Sequence, residues 1–317
     1  MTDTQNKVFK TPVSKIRLFE HGAPGSQNLK LTRKYYTEDM PDGRVKHIVQ
    51  NITDPDIVPY IPDGIGNSTD RQRIPAVLII PGGAFRRLVY NFEGEDVAKW
   101  LNSMGIAAFV LECRLPSDEH DNAEDVPLID AMRAMRVIRG RAQEFGIDEA
   151  KIGVMGFSAG GFMAALLSTA YESDVYADYK YKDEYDKLSA RPDFAVCSYP
   201  VISIDDCIEA GKRYMSEEQV LERISDGKAK ILHKYNPDKL VRPDMPPVFI
   251  CETDDDRTTL SENSVGFYMA ARKAGVSAEL HIFRTGGHGY GCGDDFAQTG
   301  EWKVLFTKWI KSIGIIS

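Results

Sequence analysis

Short apolar runs recur along the chain, separated by stretches of helical periodicity. Residues 76–81 (AVLIIP), 107–111 (AAFVL), 152–155 (IGVM), 194–199 (FAVCSY), 247–251 (PVFIC) and 279–283 (ELHIF) read as buried strands. Near-continuous apolar runs are expected where both faces of a parallel sheet are covered. Between them, residues 127–145 place Leu128, Ala131, Met132, Met135 and Ile138 on one helical face, with Pro127 suited to the first turn. Residues 261–274 and 299–313 repeat the pattern, the latter through Trp302, Leu305, Phe306, Trp309, Ile310 and Ile313. Strands alternating with helices predict a mostly parallel, doubly wound α/β sheet with helices on both faces.

Two segments depart from the rhythm. Residues 1–75 are richer in Asp, Asn, Pro and Thr and are expected to hold a few antiparallel edge strands and loops. Residues 203–240 are charged and helix-prone, and are expected to form a small insertion or cap near the site. The 317 residues are read as a single domain, and at 43 % hydrophobic and 27 % charged they can build a full core. A net charge of −8 argues against nucleic-acid or anionic-membrane partners, which need a basic face. The five cysteines fit neither a metal template nor a disulfide framework, which suits a reducing compartment. No apolar leader opens the chain, and no run reaches the roughly 18 apolar residues of a membrane span. A cytoplasmic location is therefore expected. The sequence leaves the oligomeric state open.

The chemistry concentrates in four loops. Gly156-Phe157-Ser158-Ala159-Gly160 sits between the strand IGVM and the helical run FMAALLSTA. In that context G-x-S-x-G is a nucleophile elbow, with Ser158 on a strained turn at a helix N-terminus. A serine hydroxyl needs a base. Among six histidines, His288 stands in the loop TGGHGYG directly after ELHIF, at the carboxyl edge of the sheet, where such folds bind ligands. His281 lies inside that strand and reads as structural. Asp254, Asp255 and Asp256 follow the strand PVFICET, and the chain order Ser, acid, His is the one expected. The residues alone do not choose among the three. Pro81-Gly82-Gly83-Ala84 follows AVLII, placing the N–H groups of Gly83 and Ala84, with that of Ala159, as oxyanion donors. No cofactor or metal is implied.

With these motifs in view, PGGAF, NFEGEDVAKWLNSMGIAAFVLECRLP, GVMGFSAGG, ARPDFAVCSYPVIS, PPVFICETDDD and ENSVGFYMAARKAGVSAELHIFRTGGHGYG resemble the acetyl xylan esterase and feruloyl esterase group of α/β-hydrolases. The resemblance runs from about residue 74 to residue 293. It implies an α/β-hydrolase fold and a serine esterase acting on short acyl, above all acetyl, esters of xylan-type oligosaccharides. It also bears on the acid. The group reads D-D-P-V-V-P before an E-N-S, its second aspartate being catalytic. Counting back from Ser264 lands on Asp256. This chain has Arg257-Thr258-Thr259 in place of P-V-V, so Asp255 stays open. It also has Ala84 where a third Gly is common, and Cys113 where Tyr is. The Cys113 change bears on local packing and on pocket shape. Arg114 and Asp130 match group positions and are read as a structural ion pair. A general short-chain carboxylesterase, a feruloyl esterase, a peptidase or amidase, and a non-catalytic ligand-binding homologue are the competing readings. The charged composition of 203–240 suits a soluble, hydroxyl-rich substrate better than a lipid surface.

Overall fold

The computed structural model describes residues 9, 14–64, 73–213, 216, 218–219, 229–293 and 298–317. Eleven strands run in chain order among them: β1 (Ile16–Arg17), β2 (Lys34–Asp39), β3 (Val45–Gln50), β4 (Asp56–Tyr60), β5 (Ile74–Ile80), β6 (Leu88–Val89), β7 (Ala107–Glu112), β8 (Ile147–Phe157), β9 (Ala195–Ser198), β10 (Val248–Thr253) and β11 (Ala278–Phe283). Eight form one sheet in the order β1-β4-β7-β5-β8-β9-β10-β11. From β7 to β11 every pairing is parallel, and β4 and β1 add antiparallel strands at the edge. All six apolar runs fall on these parallel strands.

Successive strand residues point to opposite faces. Every residue from Pro75 to Ile80 and from Ala107 to Glu112 is buried, so both faces of the sheet are covered. On one side, helices Asp96–Ser103 and Trp302–Ser312 meet through Trp100, which packs edge-on against Trp302 and Phe306. Helices Val126–Gly140 and Ala159–Ala170 pack against one another. The helix expected over 127–145 breaks at Arg141 into two pieces, and a left-handed Gly146 ends the second. Ser261–Lys273 forms the helix between β10 and β11.

The N-terminal region is more than an edge. β1 and β4 extend the main sheet as expected, but β2, β3 and β6 form a separate antiparallel sheet of three strands. Asn91 ties this small sheet down. Its Oδ1 accepts the His47 N–H at 2.9 Å, and its Nδ2 donates to the Val45 carbonyl at 2.8 Å. Among the described residues no helix is long and apolar enough to cross a membrane.

Candidate active site

Four parallel strands deliver the site. β5, β8, β10 and β11 end at one edge of the sheet, with β9 between β8 and β10, and the next residues of each are the loops singled out above. After β8, Ser158 takes φ 54° and ψ −119° before the helix Ala159–Ala170 begins. A non-glycine residue there is strained and held by its surroundings. The turn closes only because its neighbours lack side chains. A Cβ on Gly156 would strike the Gly160 carbonyl, and one on Gly160 would strike the Ile80 carbonyl.

The four loops bring their side chains together. His288 Nε2 lies 2.9 Å from Ser158 Oγ, and His288 Nδ1 lies 2.6 Å from Asp256 Oδ2. Asp256 is 3 % exposed and well supplied with donors. Its Oδ1 accepts the N–H groups of Thr258 and Thr259 at 2.7 and 3.0 Å, and its Oδ2 accepts the Thr259 hydroxyl at 2.9 Å. Burial pushes this carboxyl up, but the His288 contact and the two backbone N–H groups hold it below its ordinary value. Asp255 turns elsewhere: its Oδ1 accepts the Gly287 N–H at 2.8 Å and pins the His288 loop. The Arg-Thr-Thr stretch thus gives Asp256 a hydroxyl donor that a valine could not supply.

Before the helix Asp96–Ser103, residues Asn91–Glu95 form a π-helical turn, a local widening frequent at functional sites. It places Glu93, 5 % exposed, beneath the loop after β5. Glu93 Oε2 accepts the Gly82 N–H at 2.8 Å, and Oε1 accepts the Tyr199 hydroxyl at 2.9 Å. With Gly82 engaged, the chain turns through Gly83 at φ 139° and Ala84 at φ 57°, and both residues line the cavity in front of Ser158. Burial raises the Glu93 carboxyl, while His288, Tyr199 and the Gly82 N–H pull it back. Burial and the Glu93 carboxylate hold the Tyr199 phenol well above its ordinary value, so it remains a donor. Tyr199 in turn accepts the Gly291 N–H at 3.0 Å, and its ring meets that of His288 edge-on at 5.0 Å.

The cavity holds about 240 Å³ and is lined by residues including Gly83, Ala84, Glu93, Ser158, Thr258 and His288. A sheet edge that presents a serine, a base and a carboxylate in sequence, over a glycine loop, is the arrangement of an α/β-hydrolase. The BD-FAE family model matches residues 65–270. The chain belongs to the BD-FAE family, of α/β-hydrolase-type esterases. Over 240 residues, 75 % of this chain and 45 % of the relative, it is 31 % identical to an acetylxylan esterase of Xylanibacter ruminicola. Over 227 residues, 71 % of this chain and 34 % of the relative, it is 31 % identical to endo-1,4-beta-xylanase B of Butyrivibrio fibrisolvens. The chain thus spans less than half the length of these two curated relatives. Among solved structures it is similar to an acetyl ester-xyloside bifunctional hydrolase from Caldicellulosiruptor lactoaceticus, with 35 % identity, a TM-score of 0.70, and 97 % and 100 % of the two chains covered.

In this BD-FAE chain the cavity wall draws on a segment read from the sequence as an edge. The described residues of 203–240 do not line it, although parts of that segment lie outside the described residues. Met40, Arg44 and Lys46 of the β2–β3 hairpin form part of the wall. Cys113 does not line it either. It borders a separate, mostly apolar void of about 20 Å³ with Pro81, Phe85 and Met163. Arg114 and Asp130 form a fully buried ion pair, Nη2 to Oδ1 at 2.7 Å. His281 bonds Glu279 at 2.7 Å. Sequence reasoning missed Glu93 and Tyr199. The one signal was a carboxylate inside the turn-prone run NFEGED.

Proposed function

We propose that this chain is a serine esterase that removes short acyl groups, acetyl foremost, from xylan-type oligosaccharides. The observation that carries the reading is the line of contacts from Asp256 through His288 to Ser158, at 2.6 and 2.9 Å, opening on a cavity beside Gly83 and Ala84. Ser158 Oγ attacks the ester carbonyl carbon while its proton passes to His288 Nε2. Asp256 holds the Nδ1–H and stabilises the imidazolium. The carbonyl oxygen, now anionic, meets the N–H groups of Gly83, Ala84 and Ala159. The carbonyl re-forms, the C–O bond to the sugar breaks, and His288 returns its proton to the leaving alkoxide. Water then attacks the acyl-serine by the same route and releases acetate.

Two observations support a short acyl group. The cavity is smaller than the ~300–1,000 Å³ of pockets that enclose drug-sized ligands. The proteins it is similar to include an acetylxylan esterase and an acetyl ester-xyloside hydrolase. We place the protein in the cytoplasm, acting on imported oligosaccharides. The four described cysteines are free, which suits a reducing compartment. The test is a panel of p-nitrophenyl esters from acetate to octanoate, with acetylated and feruloylated xylo-oligosaccharides alongside. The expected result is kcat/KM at least about tenfold higher for acetate than for octanoate, with acetate released from the oligosaccharide. Octanoate above acetate would replace this reading with a general carboxylesterase. Ferulate released faster than acetate would make the chain a feruloyl esterase.

A further inference from the structure

The chain carries a net charge of −8, yet among the described residues lining the cavity before Ser158 cations outnumber carboxylates. Among the described residues lining it are three cations, Arg44, Lys46 and Arg87, and a single carboxylate, Glu93. Glu93 is buried and already accepts two hydrogen bonds. Asp42, which pairs with Arg44 at 2.8 Å, and Glu38, which pairs with Arg87 at 2.5 Å, are not among the described lining residues. Lys46 has no ion-pair partner among the described residues, and the Glu93 carboxyl feels its charge across the cavity.

These groups are held in place. The Arg44 guanidinium lies over the Phe92 ring at 5.2 Å, and Asn91 grips Val45 and His47, the two neighbours of Lys46. Lysine and arginine heads only donate hydrogen bonds. A neutral sugar hydroxyl presents a donor as well as acceptors, and needs acceptors that Lys46 and the arginines do not offer. A carboxylate needs only donors and is the natural partner of such a group.

We infer that the alcohol half of the substrate carries a carboxylate, as in an acetylated oligosaccharide bearing a uronic-acid sugar, and that Lys46 and Arg44 receive it. The charge belongs to the alcohol half because Ser158, Gly83 and Ala84 take the acyl carbonyl. The arginines stand at the open rim, with side chains 30 % and 35 % exposed. The inference rests on the esterase reading above.

The experiment compares kcat/KM for an acetylated xylo-oligosaccharide with a uronic-acid branch against the same oligosaccharide without it. It uses the wild type, Lys46→Gln and Arg44→Gln/Lys46→Gln, at low and high salt. The wild type is expected to favour the acidic substrate by about tenfold, the contribution of one charge-assisted hydrogen bond. The preference should shrink with salt, which needs no variant to test, and approach parity in the double variant. A wild-type ratio of one or below, with the neutral oligosaccharide and p-nitrophenyl acetate still hydrolysed, overturns the inference alone. So does a ratio that neither salt nor the double variant moves. A preference for hemisuccinate over acetate esters, with none for the uronic branch, assigns the charge to the acyl half and also overturns it. If no ester is hydrolysed, the esterase reading falls and this inference with it.

Discussion

The Glu93 carboxylate accepts a hydrogen bond from the Tyr199 hydroxyl at 2.9 Å, and through that bond one buried acid joins two loops of the site. Its other oxygen holds Gly82 N–H of the oxyanion loop, while Tyr199 holds Gly291 N–H beyond His288. Gln at this position keeps the volume but must turn its amide NH₂ toward one of the two donors. Glu93→Gln is expected to lower kcat by roughly 10- to 100-fold, the scale of a small misplacement of reacting groups, with little change in KM. Steady-state kinetics on p-nitrophenyl acetate read this directly. A kcat within twofold of wild type would show that the oxyanion loop does not depend on Glu93.

Ser158 should be separable into chemistry and strain. Ser158→Ala removes the hydroxyl and is expected to lower activity by several orders of magnitude, because the three side chains act as a unit. The φ of 54° remains, since alanine keeps the Cβ. Ser158→Gly should be equally inactive but more stable, by about 1 kcal/mol. Thermal melts of the two variants give the comparison, and a glycine variant less stable than the alanine variant would contradict the strain.

Asp256 and Asp255 should part company. Asp256→Asn is expected to cost about 10²–10⁴ in kcat by misorienting His288. Asp255→Asn can still accept the Gly287 N–H and should lose less than about tenfold.

The same Asp256 carboxyl predicts a pH dependence of stability. Its folded value lies below the ordinary carboxylate value, so the unfolded chain binds the proton more tightly. Its stabilising contribution is full above the ordinary value and disappears as pH falls through the folded value. The stability difference between wild type and Asp256→Asn, followed by urea unfolding, should therefore shrink toward acid pH. A difference that grows on acidification would mean the shift has the other sign.

Ala84 sits at φ 57°, in the left-handed region. Ala84→Gly should raise stability by roughly 1 kcal/mol and leave kcat/KM within about threefold. Ala84→Val should lower both, since branching adds strain beside the cavity. Tm and p-nitrophenyl acetate kinetics check the pair.

Much of this protein was legible along the chain because the signals are local. Apolar runs such as 76–81 and 152–155 can be buried on both faces only in a covered parallel sheet, so the main sheet followed from them. Gly156-Phe157-Ser158-Ala159-Gly160 marked the elbow, since only glycines permit that close approach of strand, helix and neighbouring loop. The His288 loop was marked in the same way by its glycines. Asp256 could be chosen over Asp255 only by likeness to a family. The choice turns on which side chain faces His288 and which faces Gly287, and three adjacent aspartates look alike in a string. Glu93, Tyr199, Arg44 and Lys46 were decided by tertiary structure alone. They lie on three separate stretches of chain, and a charged side chain beside a turn carries no mark of what folds against it. The hairpin β2–β3 read as an edge element. It became a wall of the cavity because Asn91, from a π-helical turn more than 40 residues away, holds its backbone over the site. Backbone pattern and steric permission are written locally, whereas the charge and shape of the cavity arise from groups that meet only when the chain is folded.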